Sequence, residues 1–495
     1  MGQSLLCPPR LFNQNACYAN DFRRCRTLSL AATRTGKVFS LHVGAKSTIL
    51  ENGVPDNSVA RTQGGSPARV GFGRFTRTQW QVLLILMLVN FVNYVDRQII
   101  FSLFPAIKHD FSLSFAQLGY LAAAFTVVLS LGSLPLGMLA DRLSRRAVIS
   151  AGVLFWSGAT FFSGLAGSFR SLLIARGLVG VGEAAYTPAG AAVISASFPP
   201  EVRARVQGTF DIGMFIGGAT GIALGGIMAA AFGWRAAFML VGIPGVILGL
   251  SALKLPKSVA PLPRERMPIR ELLRVPAFLA LLASGWFCSF AGYAYVAWGP
   301  ELVQDYKGFS ASTAGLALGV TIVLGGTLGI AVGAHMSDHL AKIWNWGRAA
   351  VVPIGFVLAA PAIYFALHTR GKLPFLLLFG TGAFFLSWYH GPLTATIHDL
   401  VPPQGHASAL GFYYLFVNLF AMAIAPLIVG KIADHYDLIT ALHIPIVAQL
   451  IGAGFFVVVI FCIRRNGLRH PVLARHWGEE DAVLAPAVEL SYENP

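Results

Sequence analysis

The sequence predicts an all-α membrane protein of twelve transmembrane helices, arranged as two pseudo-symmetric six-helix bundles. Three observations predict it. Hydrophobic residues make up 55% of the 495-residue chain and charged residues only 12%, well below the charged fraction of an ordinary soluble domain. Apolar runs of about 20 residues, long enough to cross a ~30 Å hydrocarbon core as helices, recur from 79 to 464. The runs fall into two sets of six whose sequences echo one another.

Residues 1–76 come first and are polar, rich in Arg, Ser and Gly, poor in acids, and without the continuous apolar core of a secretory signal. They read as a disordered basic arm, a composition also shared by organellar transit peptides. The first bundle, 77–254, holds helices at 79–107, 115–140, 146–166, 169–197, 203–231 and 235–254. Four prolines and several basic residues then make 255–275 a linker. The second bundle, 276–464, holds helices at 276–303, 311–337, 347–368, 373–399, 406–432 and 438–463, and 465–495 form a tail.

Arg142, Arg145, Arg146, Arg203, Arg205, Arg464, Arg465 and the linker bases share one face. By the positive-inside rule that face is cytoplasmic, as are both termini, in a cell (inner or plasma) membrane. Across the halves, "FPPEVRARVQG" at 198–208 is echoed by "VPPQGHASALG" at 401–411, and "GMLADRLSRR" at 137–146 by "AHMSDHL" at 334–340. Repeated halves around a midplane cavity are a common architecture of secondary transporters.

Several function classes fall away. The net charge of +15 lies in loops and tails, not along one face, so the partner is the lipid bilayer and not nucleic acid. Cys7, Cys17, Cys25, Cys288 and Cys462 have no metal-ligand or disulfide spacing, and no cofactor motif stands out. "GMFIGGATGIALGG" at 213–226 follows no strand, so its small residues point to helix packing and not to a phosphate loop. Neither a nucleophile elbow nor paired metal ligands are visible, which argues against an enzyme.

The informative residues are ionisable ones inside spans, each costing at least ~2.5–3.5 kcal/mol at mid-bilayer unless partnered. Asp96 and Arg97 interrupt the first helix, where Asn90, Asn93, Tyr94 and Arg97 form a polar stripe. Arg176 and Glu183 share one face of helix four about 10 Å apart, so they can hold separate partners. A buried carboxylate beside a movable Arg suits proton coupling, since burial favours the neutral acid and pairing favours the ion. Asp96 and Glu183 are thus candidate proton carriers, although a static ion-pair network needs the same residues.

Asn93, Tyr94, Tyr186, Asp211, Tyr293, Trp298, Tyr389, His390 and Asn418 are expected to line a substrate cavity. Asp211 is a third intramembrane acid. In "GMLADRLSRR", Gly137, Asp141, Arg142, Arg145 and Arg146 form a tight charged turn suited to gating, where Asp141 can accept amides at a helix start.

Over residues 77–465 these motifs resemble the major facilitator superfamily, with "GMLADRLSRR" matching its loop between helices two and three apart from Ser144 in place of a usual Gly. "NYVDRQ" at 93–98, "FWSGAT" at 155–160 and "RGLVGVGEAAYTPAG" at 176–190 are most similar to the spinster group of lipid and lysolipid transporters. The resemblance implies alternating access, a gating role for the loop, and proton coupling through Asp96 and Glu183 with Arg97 and Arg176 as partners. It implies a small amphipathic or anionic solute moved with protons. The second-half loop departs from the pattern at Ala334 and His339, which puts a latch there in doubt. The anion:cation symporter group, carriers of sugar and organic acids, shares the NYxDR-like first helix. A receptor or sensor on the same fold is the alternative of another class.

Overall fold

The computed structural model describes residues 75–256, 267–468 and 470–476. The expectations for 1–74 of the arm, 257–266 of the linker and 477–495 of the tail lie outside the described residues. Helices α1 (Arg77–Phe111), α2 (Phe115–Arg142), α3 (Arg145–Gly164) and α4 (Phe169–Ser197) come first. Thr76, Ser114 and Ser168 cap α1, α2 and α4, each accepting from the amide three residues on, so the starts of these helices are fixed by the residue types that precede them. The run Pro200–Ala252 is broken at Gly233, whose φ of 81° divides it into α5 (200–232) and α6 (234–252). Glycine adopts that left-handed conformation at no steric cost.

The second set comprises α7 (Pro276–Tyr306), α8 (Ala311–Ala341), α9 (Gly347–His368), α10 (Lys372–Leu400), α11 (Pro403–His435) and α12 (Leu438–Asn466). Ten helical runs among the described residues are long and apolar enough to span a membrane. One of them is the α5–α6 pair, and α4, which carries Arg170, Arg176 and Glu183, completes the twelve. Each boundary falls within a few residues of its sequence expectation.

Small residues decide how closely the helices pack. Gly213, Gly217, Gly221 and Gly225 repeat every four residues along α5, and a Cβ on each would strike α1. The obstacles are Met87 O at 2.8 Å, the Phe91 carbonyl, Val95 O at 2.5 Å and Ser102 Cβ at 2.9 Å. The close approach is pinned by Asn90 Nδ2 donating to Phe210 O at 2.9 Å and by the Ser102 hydroxyl donating to Ile222 O at 2.7 Å. The glycine-rich run therefore serves packing, as small residues in membrane helices do.

Packing is densest within α1–α6 and within α7–α12. The two halves meet at the end of the bundle opposite the α2–α3 turn, here called the far end. There α5 crosses α8 with Gly226 on the Ala311 carbonyl and Gly315 on the Ile222 carbonyl. Asp434 of α11 accepts the amides of Phe115 at 2.7 Å and Ala116 at 2.9 Å, so one half caps a helix of the other. Lys108 of α1 bonds Glu301 of α7 at 3.0 Å. At the opposite, basic end, residues 390–417 of α10 and α11 make at most slight contact with helices of the first half among the described residues. The far end is shut and the halves splay toward the basic end.

Candidate transport site

Two ion pairs cross between α1 and α4. Arg97 Nε donates to Glu183 Oε2 at 2.5 Å, and Arg176 Nη1 donates to Asp96 Oδ1 at 3.0 Å. Adjacent residues on a helix point about 100° apart, so Asp96 and Arg97 face different turns of α4 and each finds its opposite charge. Thr160 of α3 donates its hydroxyl to the other oxygen of Asp96. Phe125 of α2 lies 5.5 Å from the Arg97 guanidinium and 5.3 Å from that of Arg176, giving both a cation–π face.

The glycines before Glu183 set this geometry. A Cβ on Gly180 would come within 2.7 Å of Phe125 O, and one on Gly182 within 2.6 Å of Trp156 N. Their absence lets α4 lie against α2 and α3 together, which brings Glu183 to α1. The two pairs differ in their surroundings. Asp96 and Arg176 are buried, at 2% and 1% exposure, and both Asp96 oxygens are bonded. Glu183 is fully buried while its partner Arg97 is 18% exposed, and Glu183 Oε1 has no hydrogen-bond partner among the described residues.

Beside these pairs, between the halves, lies a cavity of about 310 Å³. Tyr94 and Gln98 of α1, Met214, Gly218 and Ile222 of α5, and Ser289, Tyr293 and Val296 of α7 line it, together with Gly326, Thr327 and Ile330 of α8. From α10 come Ser387, Tyr389 and His390, where a 3₁₀ turn over Ser387–Tyr389 interrupts the helix. No Asp, Glu, Lys or Arg is among the lining residues. His390 is exposed, its ring 4.1 Å from that of Tyr389.

Of the residues expected in the cavity, Tyr94, Tyr293, Tyr389 and His390 line it. The others lie elsewhere. Tyr186 is 1% exposed, packs edge-on against Trp156 and donates to Leu86 O at 3.1 Å, so it ties α4 to α1. Trp298 is wholly buried at the far end between Phe104 and Phe115, each 5.7 Å away. Asn93 is buried at 1% exposure. Asp211 accepts from Gln207 at 3.1 Å, one turn away on α5. Asn418 opens a π-turn in α11, its carbonyl accepting from Ala423 N at 3.0 Å.

Gln98, Thr160, Ser289, Thr327 and Ser387 join the site from outside the expected set. For Gln98 a signal existed, since it lies four residues from Tyr94 and so on the same face of α1. In the charged turn, Gly137 packs on Pro188 of α4, whose ring would lie 3.4 Å from a Cβ placed on the glycine. Arg145 is buried at 2% exposure and lines a recess of about 290 Å³ between α2 and α4. Arg146 reaches Leu253 O at 3.5 Å. The side chains of Asp141 and Arg142 lie outside the described residues. In the second half Arg348 binds Asp399 at 2.8 and 2.9 Å and approaches Asp338 at 3.9 Å.

Residues 86–369 match the sequence family described as Major Facilitator Superfamily. The chain belongs to that superfamily. It is a multi-pass membrane transporter and not an enzyme. It is 29% identical to an MFS-type efflux pump of Mycolicibacterium smegmatis, over 72% of this chain and 85% of that protein. It is 27% identical to a hexuronate transporter of Bacillus subtilis, over 73% and 89%, and 26% identical to Protein spinster of Drosophila melanogaster, over 72% and 62%. Among solved structures, it superposes with a TM-score of 0.71 on a bacterial homolog of the human lysosomal transporter Spinster, captured inward-facing and unoccupied. That match has 23% identity and covers 79% of this chain and 98% of the other.

Proposed function

We propose that this superfamily member carries an amphipathic, lipid-like solute by alternating access, coupled to protons through Glu183. The observation that carries the reading is the pairing of an uncharged, mostly apolar cavity with a half-satisfied buried carboxylate beside it. A cavity built for a small polyanion needs a cation free to meet it. Here Arg97 is held by Glu183 and Arg176 by Asp96. An apolar wall with a few hydroxyls suits a solute with a hydrocarbon body and a polar end.

The division of labour between the pairs follows from their surroundings. Asp96, with both oxygens bonded and a fully buried partner, acts as a fixed tie between α1, α3 and α4. Glu183 has an idle oxygen and a partner at the cavity edge, so protonating it frees Arg97 toward the cavity. By the basic residues of the α2–α3 turn and of the last helix, the basic end faces the cytoplasm in the plasma or inner membrane, and the splayed halves make this an inward-open state.

Arg97 is also the observation that favours a second reading, an organic-acid symporter. Once released, its guanidinium could take a carboxylate, as the hexuronate and glucarate of the carriers among the relatives would require. Flux into proteoliposomes separates the readings. With an imposed pH gradient, wild type should move lysophospholipid and leave hexuronate behind, and Glu183→Gln should abolish gradient-driven flux while ligand binding persists. Hexuronate flux alone would establish the symporter, flux indifferent to the gradient and to Glu183→Gln would remove the coupling, and binding without flux would leave a sensor.

A further inference from the structure

The far-end junction holds an acid for which the transport scheme has no use. Glu301 of α7 is wholly buried, with Lys108 Nζ from the other half 3.0 Å from Oε1. Its second oxygen, Oε2, has no hydrogen-bond partner among the described residues, and neither do two donors on neighbouring turns of the same helix, Trp298 Nε1 and Gln304 Nε2. The surroundings form one packed unit, since the Phe115 ring lies 5.7 Å from that of Trp298 and 3.5 Å from Lys108 Nζ. The charges that face Glu301 are Lys108 from α1 and, on its own helix, Asp305, itself 4.0 Å from Lys108. From α11, Asp434 is occupied by the α2 amides and Lys431 lies over Tyr120.

Lys108 has alternatives to Glu301. Its side chain is 26% exposed, it rests on the Phe115 face, and Asp305 is within reach. Glu301 has only Lys108 as a cation among the described residues. A carboxylate shut away from water with one oxygen unmatched is costly, and the neutral acid is less so. Opening the far end parts α1 from α7 and returns Glu301 to water, where the ion is well solvated. The same side chain therefore alternates between a dry, half-matched site and a wet one, as an intramembrane acid that handles protons does.

We propose that Glu301 is a second proton-binding site, taking a proton from far-side water as the far end closes and returning it as that end opens. This rests on the alternating-access reading, and it makes far-side acid favour the shut junction. The test uses the full chain in lipid nanodiscs, cysteine-free apart from spin labels at Arg170 in the first half and Tyr436 in the second, with Glu183→Gln present to silence the other acid. The ratio of shut to open far ends should rise about tenfold per unit fall in pH, the slope of one proton. Adding Glu301→Gln should flatten that slope, whereas Glu301→Asp and Lys108→Gln should keep it.

A slope that survives Glu301→Gln overturns the proposal. So does a slope of opposite sign, with acid opening the far end, because it would mean that the ion pair alone holds the junction. A single label distance at every pH, with Glu183 intact or replaced, would overturn alternating access itself and this inference with it.

Discussion

Asp96→Asn removes one charge from a site where neither partner touches water, and its cost can be worked from the geometry. Asparagine keeps the shape and can still accept the Thr160 hydroxyl, but Arg176, at 1% exposure, loses the carboxylate 3.0 Å away. Its contacts with Phe125 at 5.3 Å and Phe238 at 5.8 Å exist with or without Asp96, so they do not offset the loss. Leaving a buried charge unpaired costs about 3–5 kcal/mol. Arg176→Gln should cost a similar amount by stranding Asp96. The double variant leaves two amides able to bond each other, and the penalty of an imperfect neutral hydrogen bond is about 1 kcal/mol. Thermal unfolding in detergent reads this directly, at about 2 °C or less per kcal/mol for a chain of this size. Both single variants should melt several degrees below wild type, and the double variant should recover most of the loss. Losses that simply add in the double variant would show that the two charges do not sustain one another, and the fixed-tie assignment of Asp96 would fall.

The other predictions concern packing and the junction. Glu183→Gln should cost less stability than Asp96→Asn, about 1–2 kcal/mol, because freed Arg97 is already 18% exposed and keeps Tyr94 at 4.8 Å; equal losses in detergent melting would contradict the asymmetry between the pairs. Gly221→Val should sharply reduce the yield of monodisperse protein in size-exclusion chromatography, since its Cβ would lie 2.5 Å from Val95 O. Gly454→Ala, with nothing within 4 Å, should be tolerated or raise stability by about 0.5–1 kcal/mol through helix propensity. Asp434→Ala removes an inter-half cap worth about 1 kcal/mol, and should increase the labelling rate of a cysteine placed at Ser114 by shifting the far end toward open.

The positions of the helices were legible in the sequence because lipid makes hydropathy, length and proline breaks nearly sufficient; the caps at Thr76, Ser114 and Ser168 were recognised only in the structure. The ionisable residues were legible because membrane interiors admit so few. Rotation of each helix about its axis was not. Tyr186 and Trp298 are apolar enough for core, cavity or lipid, and only the packing of α4 on α1 and of α7 on Phe104 and Phe115 decides. The crossing of the pairs was hidden for the same reason, since Asp96 and Arg97 are neighbours in sequence and either could have met Arg176 or Glu183. On α5 the two faces separate cleanly once rotation is known: 213, 217, 221 and 225 press on α1, while Met214, Gly218 and Ile222, one residue on from the first three, turn to the cavity. Glu301 and Lys108 sit near helix ends, where charge is unremarkable in sequence, and only the meeting of two halves makes them a pair.

Gly326→Trp offers a way to separate the cavity from the coupling machinery. Gly326 lines the cavity from α8, and a Cβ there meets only Ser387 Oγ at 3.6 Å, so an indole can extend into the open space without displacing backbone. It belongs to the opposite half from Asp96, Arg97, Arg176 and Glu183, and both ion pairs should persist. The space is about 310 Å³, near the lower limit of roughly 300 Å³ for ligand pockets, so a single indole leaves too little room for an amphipathic solute. Binding measured by isothermal titration and flux in proteoliposomes should then fall together, while the melting temperature and the far-end distance stay close to wild type. Retained binding with lost flux would mean that the solute sits elsewhere and that the indole merely jams the closing halves. Retained flux would mean that this cavity is not on the transport path at all, and the amphipathic assignment, which rests on its lining, would go with it.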